Sequence, residues 1–321
     1  MDPAALFDSP REVTNSSISD PASQVGVGGR MYQAYREDTY YLPNDADEQD
    51  RLDFQHEMTA VLLDKRLAVA PVQSPKHVLD VATGTGIWAL DYATENPRER
   101  GHRHRPESDP AGHGGYGAQL QVHSRGLGRP LDLRTIMRHA YENCPCQTVI
   151  SECDKLFSFC LPEENAPLII TRAVNPGGWI EYVDQSVEPM RHGGTAEGSV
   201  WHRYVTTFLK TMRQFGRDLQ CPRKYKQWLE EVGFVNVQEE LIPIPMSPWP
   251  SNPKLKLAGS YALVKTRTGD LQVAKPIFLR GGMSDLEYEE LANNVKLEIS
   301  DRNNQFYILL VVVYGQKPPA G

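Results

Sequence analysis

The sequence lacks a long apolar run, an excess of positive charge and a signal-like opening. Its longest unbroken hydrophobic stretch, Phe306 to Tyr314, is about half of what a membrane-crossing helix requires. The Val and Ile it contains suit a buried strand instead. No membrane association is expected on that ground. Lys and Arg number 34 against 41 Asp and Glu, a formal charge of -7, which argues against a nucleic-acid partner. No charged-then-apolar segment opens the chain, so the expected setting is cytoplasmic, with the nucleus as a second compartment. Internal repeats are absent. Cysteine is sparse, at 5 of 321 residues, yet Cys144, Cys146, Cys153 and Cys160 fall in one stretch. Their spacing lacks the paired C-x-x-C knuckles of a structural zinc site, and an intracellular setting disfavours stable bridges. No metal is expected.

What is present is organised around Val78-Leu79-Asp80-Val81-Ala82-Thr83-Gly84-Thr85-Gly86-Ile87-Trp88-Ala89. A short apolar run ends in an acid and a glycine-spaced turn, and a helical pattern follows. Glycines there let a ligand approach the backbone, and a helix N-terminus lies behind them. Such a turn at the end of a first parallel strand is where doubly wound folds hold nucleotide-like ligands. A chain of this length can bury one large α/β core with an added cap.

Residues 1–30 mix Ser, Pro, Gly and Asp without periodicity and are expected to form a disordered tail. Tyr32, Tyr35, Tyr40 and Tyr41 then form a dense aromatic set, read either as packing at a domain edge or as a lid over a ligand. Asn44 is the expected cap of an amphipathic helix with Phe54, Met58, Val61 and Leu62 on one face. Pro71 to Lys76 breaks it, so residues 31–72 form a helical cap and 73–321 the main domain. Between Arg98 and Pro130 the patterning collapses into Arg, His and Gly. It returns with a strand after Asn175-Pro176-Gly177-Gly178-Trp179 and with helical spacing of Trp201, Val205, Phe208, Leu209 and Met212. A helix over Tyr225 to Val232 ends at Gly233 before a strand from Phe234 to Val237. Ile242 to Pro253 reads as a Pro-rich loop, and Ser284 with Glu287 as a capping box. Phe306 to Tyr314 is the closing buried strand.

The motif Asp80, Ala82, Gly84, Gly86 resembles the first motif of class I S-adenosylmethionine-dependent methyltransferases, with Ala at the usual first glycine. Tyr40-Tyr41-Leu42-Pro43-Asn44-Asp45, Arg51 with Gln55-His56, Asn175 to Trp179, Ser247-Pro248-Trp249-Pro250 and Tyr314-Gly315-Gln316-Lys317-Pro318 narrow the resemblance to the fungal LaeA-like methyltransferases. The resemblance implies an α/β fold: a doubly wound, Rossmann-like methyltransferase sheet with a helical N-terminal cap, here incomplete around the second to fourth strands. It implies S-adenosyl-L-methionine as cofactor, held by Asp80, Ala82, Gly84, Thr85 and Gly86. It also implies a role in making secondary metabolites or in regulating their synthesis, with a small-molecule acceptor or a regulatory protein as partner. No residue stands out as a catalytic base: His56 reads as a hydrogen-bonded packing residue, and Glu181 and Asp184 face either a substrate or solvent. Gly84-Thr85-Gly86-Ile87-Trp88-Ala89 also fits the nicotinamide pattern G-x-G-x-x-A, but Asp80 at the strand end favours the methyltransferase reading.

Residues 98–173 depart from the family. Arg100 to Pro110 can be written in codons that, shifted forward one nucleotide, read EVIGIDLSRIQ, a strand ending in an acid. The same shift turns Ala118 to Pro130 into PNCKFIHEDSEDP. The expected account is an out-of-frame stretch over roughly 100–131. Cys144 to Ala173 fits an unspliced intron whose removal joins Asn143 to Leu-Asn-Pro-Gly-Gly-Trp. Arg105 then stands where the family has the acid that holds the donor's ribose hydroxyls. A catalytically inactive, interaction-type relative is the alternative reading of the same sequence.

Overall fold

The computed structural model describes residues 23–25, 30–33, 43, 45–72, 78–81, 85–96, 147–151 and 174–320. A small hairpin, β1 (Ser23–Val25) with β2 (Met31–Gln33), opens it. β1 lies inside the stretch expected to be a tail. The hairpin is anchored to helix α1 (Ala46–Leu62), because Arg30 donates to both carboxylate oxygens of Asp45, at 2.5 and 2.6 Å. Asp45 also accepts the Glu48 amide, so it caps α1 in place of Asn44, which lies outside the described residues. Burial opposes its ionisation, and the Arg30 and backbone hydrogen bonds outweigh that, holding its carboxyl below the usual range.

Helix α1 ends earlier than the prolines suggest. Asp64 and Lys65 adopt left-handed backbone, with φ of 55° and 66°. Lys254 donates to the Leu62 carbonyl and to Asp64, satisfying the end of the helix with a cation. The linker 63–72 leads toward β3 (Val78–Val81), and α2 (Ile87–Glu95) follows the glycine turn.

The remaining elements are β4 (Gln147–Ser151), β5 (Trp179–Arg191), α3 (Val200–Gln214), α4 (Tyr225–Glu231), β6 (Val235–Pro245), α5 (Pro253–Lys265), a π-helical turn (Thr266–Asp270), α6 (Leu271–Arg280), α7 (Asp285–Ser300) and β7 (Phe306–Gln316). The main sheet runs β3-β4-β5-β7-β6. Each of its neighbouring pairs is antiparallel, a small sheet flanked by helices that is consistent with part of the expected Rossmann-like methyltransferase fold. β3 and β5 still run parallel to each other, because each opposes β4. The β-branched Thr148, Val149 and Ile150 suit β4 to the position between them. That strand comes from the stretch read as an intron; residues 98–146 and 152–173, where the other expected departures fall, lie outside the described residues.

β7 is the core of the sheet, and its side chains alternate between two cores as a strand buried on both faces requires. Phe306, Ile308, Leu310 and Val312 pack with Val183, Ile244 and helices α1, α3, α5, α6 and α7. Leu309, Val311 and Val313 pack on the opposite face with Ile180, Tyr182 and, from α4, Tyr225 and Leu229.

The expected Pro-rich loop is corrected in part: Ile242–Pro245 is strand, in register from Ile242↔Leu310 to Pro245↔Tyr307. Proline lacks an N–H, which a central strand cannot tolerate, but among the described residues β6 is an edge. Met246 donates its amide to Phe306 on β7. By the two-residue alternation of an antiparallel ladder, Pro243 and Pro245 turn their nitrogens away from β7.

Two motifs far apart in sequence meet where β5 begins and β7 ends. Gly177, at φ +81°, donates its amide to the Lys317 carbonyl, and Lys317 donates to the Gly178 carbonyl. Lys317 Nζ reaches the Val174 carbonyl at 2.7 Å, and Gln316 donates to the Gly177 carbonyl. The capping box of α7 forms as expected from Ser284 and Glu287.

Candidate functional site

Of the residues expected to hold the cofactor, Asp80, Thr85 and Gly86 are described; Ala82 and Gly84 lie outside the described residues. Asp80 is 4% exposed near the end of β3. Gly86 takes the left-handed conformation, φ +81°, that starts α2, with open space where a side chain would stand. Thr85 donates its hydroxyl to Asp53 of α1 at 2.7 Å, so the cap helix reaches the turn. A second bond joins the same helices: His56 Nε2 lies 3.1 Å from Asp91 Oδ2. His56 is therefore a buried, hydrogen-bonded contact between α1 and α2, as its sequence context suggested.

Glu181 and Asp184 face neither solvent nor one another's side of the sheet. The register Asp80↔Val149↔Glu181 puts the two acids Asp80 and Glu181 in one row. Opposed residues share a face, so these carboxylates lie on the same side, roughly 10 Å apart by two strand spacings. Asp184, an odd number of residues on, belongs to the other face. There it accepts the Tyr225 hydroxyl at 2.8 Å and its own neighbour's amide, that of Gln185.

Glu181 is 2% exposed. Its Oε2 accepts the amides of Val69 at 2.7 Å and Ala70 at 2.5 Å, both in the linker between α1 and β3. Burial pushes its carboxyl up to about 7, against the lowering effect of these amides and of Arg66. The same linker is bound from the other side, where Trp88 of α2 donates its indole N–H to the Leu67 carbonyl at 2.8 Å. Trp88 stacks on Tyr92, with ring centroids 4.8 Å apart.

A second buried polar cluster lies on the far side of α1. Arg51 is clasped by Glu48 through two hydrogen bonds, at 2.7 and 2.8 Å, and reaches Gln55 and Asp270. Asp270 also binds Lys265 and Thr266 across the π-helical turn. Burial pulls on all three charges. It lowers Lys265, whereas Asp270 is held low by Lys265 and Arg51, and Arg51 is raised by the Glu48 carboxylate. A Cβ on Gly269 would stand 2.7 Å from the Arg51 stem, so the glycine makes room for the arginine. Only the Glu48–Arg51 part, three residues apart on one helix, carried a signal in the sequence. Nothing local marks Asp270 or the linker as partners.

Chemically, a buried acid at a strand end, a left-handed glycine and a hydroxyl-bearing turn at a helix start can receive the amino-acid end of a nucleoside-type donor. These residues fit that half of S-adenosylmethionine. The other half needs an acid on a strand flanking β3. Among the described residues β3 pairs only with β4, and Arg105 lies outside them. Among the described residues no group of His, Cys, Asp or Glu is placed to hold a metal ion, and no helix is long and apolar enough to cross a membrane. The clustered cysteines 144, 146, 153 and 160 lie outside the described residues; Cys221 Sγ lies 3.6 Å from the Tyr225 hydroxyl.

The strand, turn and cap belong to a chain that is homologous, over most of its length, to fungal methyltransferases and secondary-metabolism regulators of the LaeA family. It is 27% identical to methyltransferase pytC of Aspergillus terreus, over 97% of this chain and 95% of that protein. It is 28% identical to the secondary metabolism regulator LAE1 of Cochliobolus heterostrophus, over 78% of this chain and 80% of the relative. With the secondary metabolism regulator laeA of Aspergillus flavus it shares 26% identity, over 95% and 80% of the two chains. No family model matches the chain. A Haemonchus contortus phosphoethanolamine N-methyltransferase solved with S-adenosylhomocysteine superposes with a TM-score of 0.26 and 19% identity, over 50% of this chain and 31% of that one; so weak a likeness carries no argument.

Proposed function

We propose that the gene behind this chain encodes an S-adenosylmethionine-dependent methyltransferase of secondary metabolism or its regulation, and that the chain as written keeps half of the donor site. The observation that carries this reading is the buried Asp80 at the end of β3, followed by Thr85 and the left-handed Gly86 at the start of α2. Bound there, the donor would supply an activated methyl group to an oxygen, nitrogen or carbon nucleophile. The chain's own work is to align that nucleophile and exclude water. Asp80 would organise the turn or accept from the donor's ammonium group, and Gly86 lets the backbone approach.

The missing half is the ribose-binding acid. Arg105, in its place, offers no acceptor for a diol and would repel a sulfonium. We read 100–131 as out of frame and 144–173 as unspliced, so that the intact product regains both the second strand and the acid. We read the product as a cytoplasmic protein, also acting in the nucleus, with a small-molecule acceptor or a regulatory protein partner. A second reading is a catalytically inactive relative that binds partners; the antiparallel β4 beside β3 favours it for the chain as written.

Calorimetry with S-adenosylmethionine tests the proposal on two proteins. The chain as written should give no detectable heat of binding. The chain lacking 144–173 and restored to the shifted frame over 100–131 should bind in the micromolar range. Micromolar binding by the first, or none by a folded second, overturns the reading. A transcript that still encodes Gly101-His102-Arg103-His104 after resequencing removes its genetic basis.

A further inference from the structure

The linker 67–70 is gripped from two elements. From β5, Glu181 Oε2 accepts the amides of Val69 and Ala70. From α2, Trp88 holds the Leu67 carbonyl. Trp88 is two residues beyond Gly86, so whatever fixes the linker also fixes the first turn of α2 and the glycine turn before it. Glu181 is almost fully buried, and its second oxygen, Oε1, has no hydrogen-bond partner among the described residues. A charge on it would have no water to stabilise it.

We propose that Glu181 is a positioning residue, a proton-dependent clamp that holds the 67–70 linker, and through Trp88 the glycine turn, in place while its carboxyl is neutral. Ionisation buries a charge beside one unsatisfied oxygen and favours opening of the linker to water. The groups facing it are Arg66 of the linker, Glu240 of β6, Tyr92 of α2 and, in the same sheet row, Asp80 of β3 and Tyr314 of β7. Arg66 and Glu240 lie 3.9 Å apart and largely offset one another. The carboxyl's value of about 7 in the folded protein lies above its ordinary 4.5. A raised value means that the clamp is fully closed below the ordinary value and is weakened as pH rises to the folded one. The clamp itself stands independently of donor binding; only its service to a donor turn rests on the function proposed above.

Amide exchange of the full chain between pH 5 and 8, corrected for the intrinsic pH dependence of exchange, reads the clamp directly. Protection of Val69 and Ala70 should fall by about tenfold per pH unit up to pH 7 and level off above it. Segment 85–92 should follow. Glu181→Gln keeps an acceptor but has no proton to lose, so its protection should be flat with pH. Glu181→Ala should lose it throughout. Glu181→Gln leaves the His56–Asp91 bond to α2 in place, so pH dependence surviving in that variant would overturn the proposal. A flat profile in the unmodified chain overturns it even if both variants fail to fold. Loss of protection at 67–70 without any change at 85–92 overturns the link to the glycine turn.

Discussion

Helix α1 has two sides, and they are held in different ways. Toward α5, the π-helical turn and α6 it carries Met58 and Leu62 into the main core and closes Arg51 into a buried network with Glu48, Asp270 and Lys265. Toward α2 and the glycine turn it offers two side-chain bonds, Thr85 to Asp53 and His56 to Asp91, the first of them exposed. The sheet repeats the contrast. β5 and β7 stay paired from Trp179↔Gln316 to Arg191↔Phe306 with one register shift, whereas β3 meets β4 only from Val78↔Ser151 to Val81↔Thr148. Stability therefore resides in the body formed by residues 174–320 and α1, and the candidate site is attached to it through a few named bonds.

Three substitutions test that division, all read by chemical denaturation. The largest effect belongs to Arg51→Ala, which strands the buried Glu48 carboxylate and removes a partner of Asp270. A loss of about 3–5 kcal/mol is expected, as for breaking one partner out of a buried ion network. A cost under about 1 kcal/mol would place the α1 anchor elsewhere. Next is Gly259→Ala in α5, whose new methyl would stand 2.3 Å from the Ser247 carbonyl oxygen. Backbone must shift, at about 1–3 kcal/mol, and Trp249, whose indole N–H binds the Phe306 carbonyl, should change its fluorescence. Ser284→Ala comes last. It removes the α7 cap at about 1 kcal/mol and should leave exchange at the glycine turn unchanged, since α7 belongs to the stable body.

The legible parts of the sequence were those whose signals are local. The β3-turn-α2 unit, the capping box at Ser284 and the alternation of β7 each follow from neighbours a few residues apart. Gly177-Gly178 and Gln316-Lys317, so distant in sequence, form one hydrogen-bonded corner. Helices α5 and α6, with the π-helical turn between them, have no counterpart among the sequence expectations. The structure uses Gly269 to seat Arg51, and Pro276 lies within α6, both packing decisions that no local pattern records. Extension of β6 through Pro243 and Pro245 was hidden for the same reason, since edge position is a property of the sheet and not of the segment. At the candidate site, Asp80, Thr85 and Gly86 were readable from the motif. Glu181 stood out in sequence only as an acid after a strand start, and its grip on Val69 and Ala70 depends on a linker more than a hundred residues earlier.

The outward-facing prolines of β6 have a consequence for life at high concentration. An open sheet edge invites a neighbouring molecule to add its own strand, and missing donors at Pro243 and Pro245 break that invitation at two rungs. The opposite end of the sheet, Val78-Leu79-Asp80-Val81, has no proline and only one acid to deter such addition. Among the described residues, that margin is the less guarded of the two.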